Sequence, residues 1–165
     1  MEFEVAITLD DYRKASLLHT KLTPMLTYIF AAVFLVLVIL GIATFERDTA
    51  ISILFFMAAL VFIVPRALIR HILLPEMALR AYSEQKTLHV PYLYRASDDG
   101  LTVSSKYGES RLPWDHLVKW RADSQLLLLY HTRSHFFIIP KRAFASESEV
   151  GRLLDTLTRN GVQSA

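Results

Sequence analysis

Hydrophobic and polar positions follow three rhythms along this chain. Over residues 2–9 (EFEVAITL) they alternate, with Phe3, Val5, Ile7 and Leu9 on one side and Glu2, Glu4, Ala6 and Thr8 on the other. Successive side chains of a strand point to opposite faces, so the pattern predicts a half-buried β-strand. Asp10 or Asp11 then caps a short helix whose Tyr12, Ala15, Leu18 and Leu22 share a stripe.

Polarity next disappears. Residues 25–45 (MLTYIFAAVFLVLVILGIATF) carry no charge. About 21 helical residues rise about 31 Å, the thickness of a bilayer's hydrocarbon core. Leu, Ile, Phe and Val each favour insertion by about 0.3–0.6 kcal/mol. A second apolar run, residues 50–64 (AISILFFMAALVFIV), is followed by Pro65, Arg66 and a further apolar triplet. An arginine near a span's end can extend to the headgroups, and lipid-embedded helices tolerate proline. The second span is therefore predicted over residues 49–69. Only residues 46–48 (Glu46, Arg47, Asp48) link the two, so they form a transmembrane hairpin and return the chain to the side it left. Ala31, Ala32, Ala58 and Ala59 offer small surfaces for helix contact. Neither span holds an Asp, Glu, Lys or His in its interior, which argues against an ion or proton relay.

Basic residues set the expected orientation. Arg13, Lys14 and Lys21 precede the first span and Arg66, Arg70 and Arg80 follow the second, whereas the turn offers Arg47 beside two acids. The positive-inside rule places both termini in the cytosol. Lys21 before an apolar run could also open a signal peptide, but the 24-residue lead is structured in pattern and a second apolar run follows.

Residues 70–86 read as a helical linker interrupted at Pro75, and from Thr87 the period becomes two. Leu88, Val90, Tyr92, Tyr94 and Ala96 share a face, up to a turn at Asp98-Asp99-Gly100. Further strands follow over residues 101–106, 110–113 and 118–122, then 126–131 and 135–140, with turns at Tyr107-Gly108, Asp123-Ser124-Gln125 and Thr132-Arg133-Ser134. A helix ends the chain: Ser146 and Glu149 form a predicted capping box, Val150, Leu153, Leu154 and Leu157 an apolar stripe, and Gly161 the stop. The expected architecture is an α+β membrane protein: residues 1–24 a strand and juxtamembrane helix, 25–45 and 49–69 the spans, 70–86 the linker, and 87–165 a cytosolic antiparallel β-domain closed by a C-terminal helix. With residues 2–9 added, seven strands and a closing helix are the inventory of a pleckstrin-homology-like (PH-like) fold.

Composition narrows the function. The chain is 53% hydrophobic and its net charge is +2, so nucleic acid is not an implied partner. With no cysteine, disulfides, thiolate metal sites and a cysteine nucleophile are excluded. Five scattered glycines build no phosphate loop, and no serine sits in a G-x-S-x-G setting. No catalytic residue and no cofactor are assigned, and the chain is read as non-enzymatic. His131 and His135 flank a short turn and could share a metal only with a third ligand such as His116 or His89. That arrangement would make a metal-dependent membrane hydrolase, the remotest of the functions weighed. Trp114 and Trp120 are expected in the core. Arg66, Arg70, Lys141 and Arg142 are the candidate contacts for lipid or another anion, and Lys119, Arg121 and Arg133 could extend a basic face.

The C-terminal half carries a further texture: Ser97-Asp98-Asp99-Gly100-Leu101, Leu112-Pro113-Trp114-Asp115-His116-Leu117, Leu127-Leu128-Leu129-Tyr130, and the run from Phe137 through Ile138-Ile139-Pro140-Lys141-Arg142-Ala143 to Phe144. In these segments, and in the layout of an N-terminal strand and two close spans, the chain resembles the YcxB-like family of bacterial membrane proteins. The resemblance implies a protein of the cytoplasmic (inner) membrane and transfers no catalytic residue. The expected function is a membrane-anchored interaction module that binds a protein segment or lipid headgroups at the cytosolic face. The alternative is an accessory subunit that packs its hairpin on a larger membrane protein.

Overall fold

The computed structural model describes residues 1–21 and 23–164. The chain divides into two compact units, Met1–His19 with Ala78–Ala165, and Thr20–Met77.

In the first unit the N-terminal alternation forms strand β1 (Glu2–Val5), which stops short of Leu9. A capping box ends it early. The amide of Asp11 donates to Thr8 Oγ1 (3.2 Å) and the amide of Thr8 donates to Asp11 Oδ2 (2.8 Å), so helix α1 (Leu9–His19) starts at once. Thr8, rather than Asp10 or Asp11, is the cap. Ala15 and Leu18 are buried on α1; Leu22, expected on the same stripe, lies outside the described residues.

β1 is the edge of an antiparallel sheet of order β1-β2-β3-β4, with β2 at Tyr92–Ala96, β3 at Gly100–Ser105 and β4 at Gly108–Pro113. Its register runs from Glu2 opposite Arg95 to Val5 opposite Tyr92. The N-terminal strand thus joins a sheet whose other members follow the hairpin. β2 begins later than the alternation predicts, because Lys86–His89 form a 3-10 turn and Pro91 has no N–H for a ladder. A second sheet, of order β7-β6-β5-β8, comprises β5 (Lys119–Ala122), β6 (Leu126–Tyr130), β7 (Phe136–Pro140) and β8 (Gln163–Ser164). The strands therefore fall in two separate sheets. The chain changes sheets after β4 at a 3-10 turn, Trp114–His116, where buried Trp114 donates its Nε1–H to the carbonyls of Ser97 and Asp98 (both 3.1 Å). β8 is parallel to β5, and two residues are too short to show as alternation in sequence.

All five residues of β6 are buried, so both its faces are covered; α1 packs against β6 and β7. Helix α5 (Glu147–Arg159) buries Val150, Leu153 and Leu157 in the same core. It ends at Gly161, whose φ of +79° is strained for any residue with a Cβ. The expected box at its start is altered. Ser146 Oγ pairs with Ser148 Oγ (2.8 Å), and Glu149 accepts from the amide of Ala145 (3.1 Å).

The second unit contains helix α2 (Pro24–Thr44) and helix α3 (Thr49–Leu68), both long and apolar enough to cross a membrane. Asp48 caps α3 by accepting from the amides of Ala50 and Ile51. Ser52 Oγ donates to the carbonyl of Gly41 (2.6 Å), and a Cβ at Gly41 would lie 3.0 Å from the Phe56 ring, so glycine allows this approach. Of the four alanines expected at the contact, Ala59 is buried and Ala31, Ala32 and Ala58 are exposed. Pro75 does not interrupt the helical run. A π-helical turn, Ile69–Leu73, directly precedes it and leads into helix α4 (Leu74–Glu84), which accommodates the missing N–H. The large side chains of this hairpin point outward; Leu54 and Val61 are each 67% exposed.

Candidate binding site

The first unit holds a cleft of about 280 Å³ between β2 and β7. β2 supplies Tyr92 and Tyr94, β7 supplies Phe136 and Ile138, and Ile7 and Tyr12 come from the approach to α1 and its first turns. Local bonds fix these walls. Tyr82 Oη donates to the carbonyl of Ile7 (3.0 Å) and Tyr92 Oη to that of Thr87 (3.0 Å). The volume is just under the roughly 300 Å³ at which small-molecule sites begin.

Two features give the cleft a polar aspect. Among the described residues β7 has one strand partner, β6. The amide of His131 donates to the carbonyl of His135, which makes 131 and 135 a hydrogen-bonded pair. Hydrogen-bonded and non-bonded pairs alternate in an antiparallel ladder, so Phe136 and Ile138 direct their N–H and C=O groups to the free edge. In addition, Tyr94, 2% exposed, brings its phenol to the cleft wall. Burial pushes this phenol well above its ordinary pKa, with Tyr92 adding to the shift.

Ser134 and His135 form the rim. Their turn is tightly bonded, with the amide of His135 donating to Thr132 Oγ1 (2.9 Å) and His135 Nδ1 3.2 Å from the same oxygen. The rings of His131 and His135 have centroids 5.9 Å apart. His89 Nε2 lies 3.0 Å from the carbonyl of Tyr82, and His116 sits in the turn after β4. Among the described residues no group of three His, Asp or Glu side chains could hold a metal ion.

Lys141 and Arg142 lie in a separate polar hollow with Asp11, Lys14, Gln125 and Glu147. Arg142 is bound there by Asp11, whose two carboxylate oxygens accept from its Nη1 and Nη2, and it also reaches the carbonyl of Ala6. The Asp11 side chain is 3% exposed. Burial pushes this carboxyl up, but hydrogen bonds from Arg142 and Thr8 outweigh it and hold the group below its ordinary range. Arg121 Nη1 donates to the carbonyl of Leu18 (2.9 Å), capping the end of α1. His19 Nδ1 lies 3.1 Å from Tyr130 Oη. Burial, together with the charges of Lys119 and Arg121, pulls His19 below its ordinary value. Arg66 and Arg70 belong to the hairpin unit, where the Arg66 guanidinium sits 5.5 Å above the Phe30 ring.

Both lowered pKa values make the first unit acid-sensitive. The unfolded chain takes up these protons more readily, so stability rises with pH. The His19 contribution is complete above 6.5 and is lost as pH falls through its lower folded value; the Asp11 contribution is complete above 3.8 and is lost below that. Thermal melting should therefore fall in two stages on acidification, and His19→Gln should flatten the first. At neutral pH, Asp11→Ala is expected to cost about 1–3 kcal/mol, through the lost cap and the charged hydrogen bonds. An unchanged melting temperature in Asp11→Ala would contradict the clamp.

The cleft was not legible as a site in the sequence, where Tyr92 and Tyr94 mark only a strand face. A paired aromatic alternation next to a β-branched and phenylalanine-rich strand was the available signal, but it does not say which strands border each other.

The fold is that of an α+β protein with an apolar two-helix hairpin and a folded unit that carries a cleft. The family profile described as YcxB-like protein matches residues 96–157, so the C-terminal part of the chain, from the end of β2 into α5, is similar to the YcxB-like family. No curated protein and no solved structure matched the chain.

Proposed function

We propose that the chain is a membrane-anchored, non-enzymatic binding module of the cytoplasmic membrane. In this reading the hairpin crosses the bilayer, both termini are cytosolic, and the folded unit receives an extended segment of a partner protein. Lipid is the natural cover for helices that leave residues such as Leu54 and Val61 uncovered. The six flanking Lys and Arg residues favour the cytosolic side for both ends. Two four-stranded sheets and a closing helix support a PH-like description.

The observation that carries the binding reading is the unpaired edge of β7 beside an aromatic cleft. An added strand would satisfy the outward groups of Phe136 and Ile138, and would seat an apolar side chain between Tyr92 and Phe136. The test is a photo-crosslinking amino acid placed at Tyr92 of the full chain in cells, with Tyr107, exposed near the β3–β4 turn, as the control position. Defined protein adducts at Tyr92 but not at Tyr107 are expected, and Phe136→Pro, which removes an outward N–H, should abolish them. Equal adducts at both positions, or adducts that survive Phe136→Pro, would overturn the reading.

A further inference from the structure

The hairpin unit contains a groove of about 420 Å³ at the end formed by the start of α2 and the end of α3. Its walls are apolar, from Phe30, Ala31, Phe34, Leu35 and Phe62, and its charged group is Arg66. The Phe30 and Phe62 rings lie 5.6 Å apart, and the Arg66 guanidinium stacks 5.5 Å over Phe30. Phe30 lies about 9 Å along α2 from its first residue, at 1.5 Å per residue. Side chains on a helix lean toward its N-terminus, so the ring and the guanidinium over it lie near the start of α2, where the apolar stretch begins.

A cation at the edge of an apolar stretch is stabilised by a counter-ion. Among the described residues no carboxylate pairs with Arg66. The hairpin's Glu46 and Asp48 lie in the turn at its other end, and Glu76 lies beyond the π-helical turn. The ring stacking lowers the cost of the charge but does not neutralise it. A guanidinium bonds a phosphate through two parallel N–H groups, and an aromatic groove beside it fits an acyl chain. Both halves of the groove match one molecule.

We infer that this groove is a binding site for one anionic phospholipid, with its phosphate on Arg66 and an acyl chain between Phe30, Phe34 and Phe62. The inference rests on the membrane reading above. It differs from general headgroup contact in assigning one lipid to one arginine: Arg70 does not line the groove.

The experiment is native mass spectrometry of the full chain extracted in mild detergent, titrated with phosphatidylglycerol or with phosphatidylcholine of the same acyl composition. The wild type should retain one phosphatidylglycerol with at least a tenfold preference over phosphatidylcholine. Arg66→Gln should bring that preference close to one, and Arg66→Lys should give an intermediate value because it keeps charge without the paired donors. Ala31→Trp, which fills the groove, should lose the bound lipid, while Arg70→Gln should behave as wild type. Equal retention of phosphatidylglycerol by wild type and Arg66→Gln would overturn the site. So would a wild type that comes from the membrane fraction and shows no preference, or a dimer that excludes lipid and shows a second copy to be the occupant. A chain recovered from the soluble fraction would instead overturn the membrane reading.

Discussion

Without Met1–His19, the folded unit is expected to lose its cooperative thermal transition. Those residues contribute Phe3, Val5, Ile7 and Leu18 to the core, none more than 8% exposed. Each large apolar side chain contributes about 1.5–3 kcal/mol on burial, and a whole domain of this kind is stable by only about 5–15 kcal/mol. The deletion also bares the edge of β2 and removes α1 from β6 and β7. Phe3 would leave Phe144, whose ring centroid is 4.4 Å from its own. The comparison is a melting curve for the full chain and the truncated chain in the same detergent, read by near-ultraviolet circular dichroism. A truncated chain that melts at the wild-type temperature would show that β1 is ornamental to the fold.

Leu153→Ala has the next largest expected effect. Leu153 is fully buried on α5, with Val150 and Leu157 on the same stripe. Removing a buried leucine side chain costs about 2–5 kcal/mol, depending on how far its neighbours collapse into the space. Leu154, only partly buried beside it, is the internal comparison, and Leu154→Ala should lower the midpoint less. Equal losses at the two positions would mean that the helix presents a different face.

Local patterns made much of this fold readable. The charge-free run over residues 25–45 marks α2 by length alone, the shorter run over residues 50–64 marks most of α3, and the alternation of Phe3 and Val5 marks β1. The stripe of α5 is visible for the same reason: its period belongs to a single helix. What depends on distant partners was not readable. Asp11 could be read as a helix-start residue, but its pairing with Arg142, 131 positions later, requires the fold. The same holds for the capping role of Thr8, which competes with the strand alternation that includes it, and for β8, which is defined only by its contact with β5. The cleft joins β2 to β7, and no sequence period connects those strands. Arg66 was legible as a candidate lipid contact from its place after an apolar run, but the stacking on Phe30 that distinguishes it from Arg70 was not.

Insertion of the hairpin with the folded unit on the cytosolic side can be measured directly, because the chain has no cysteine. Single cysteines at Glu46, in the hairpin turn, and at Ser134, on the rim of the cleft, are exposed in intact cells to a membrane-impermeant maleimide. Glu46→Cys should label in intact cells, and Ser134→Cys only after lysis, while the chain stays in the membrane pellet through alkaline carbonate extraction. Labelling of Ser134→Cys in intact cells, or release of the chain by carbonate, would contradict the account.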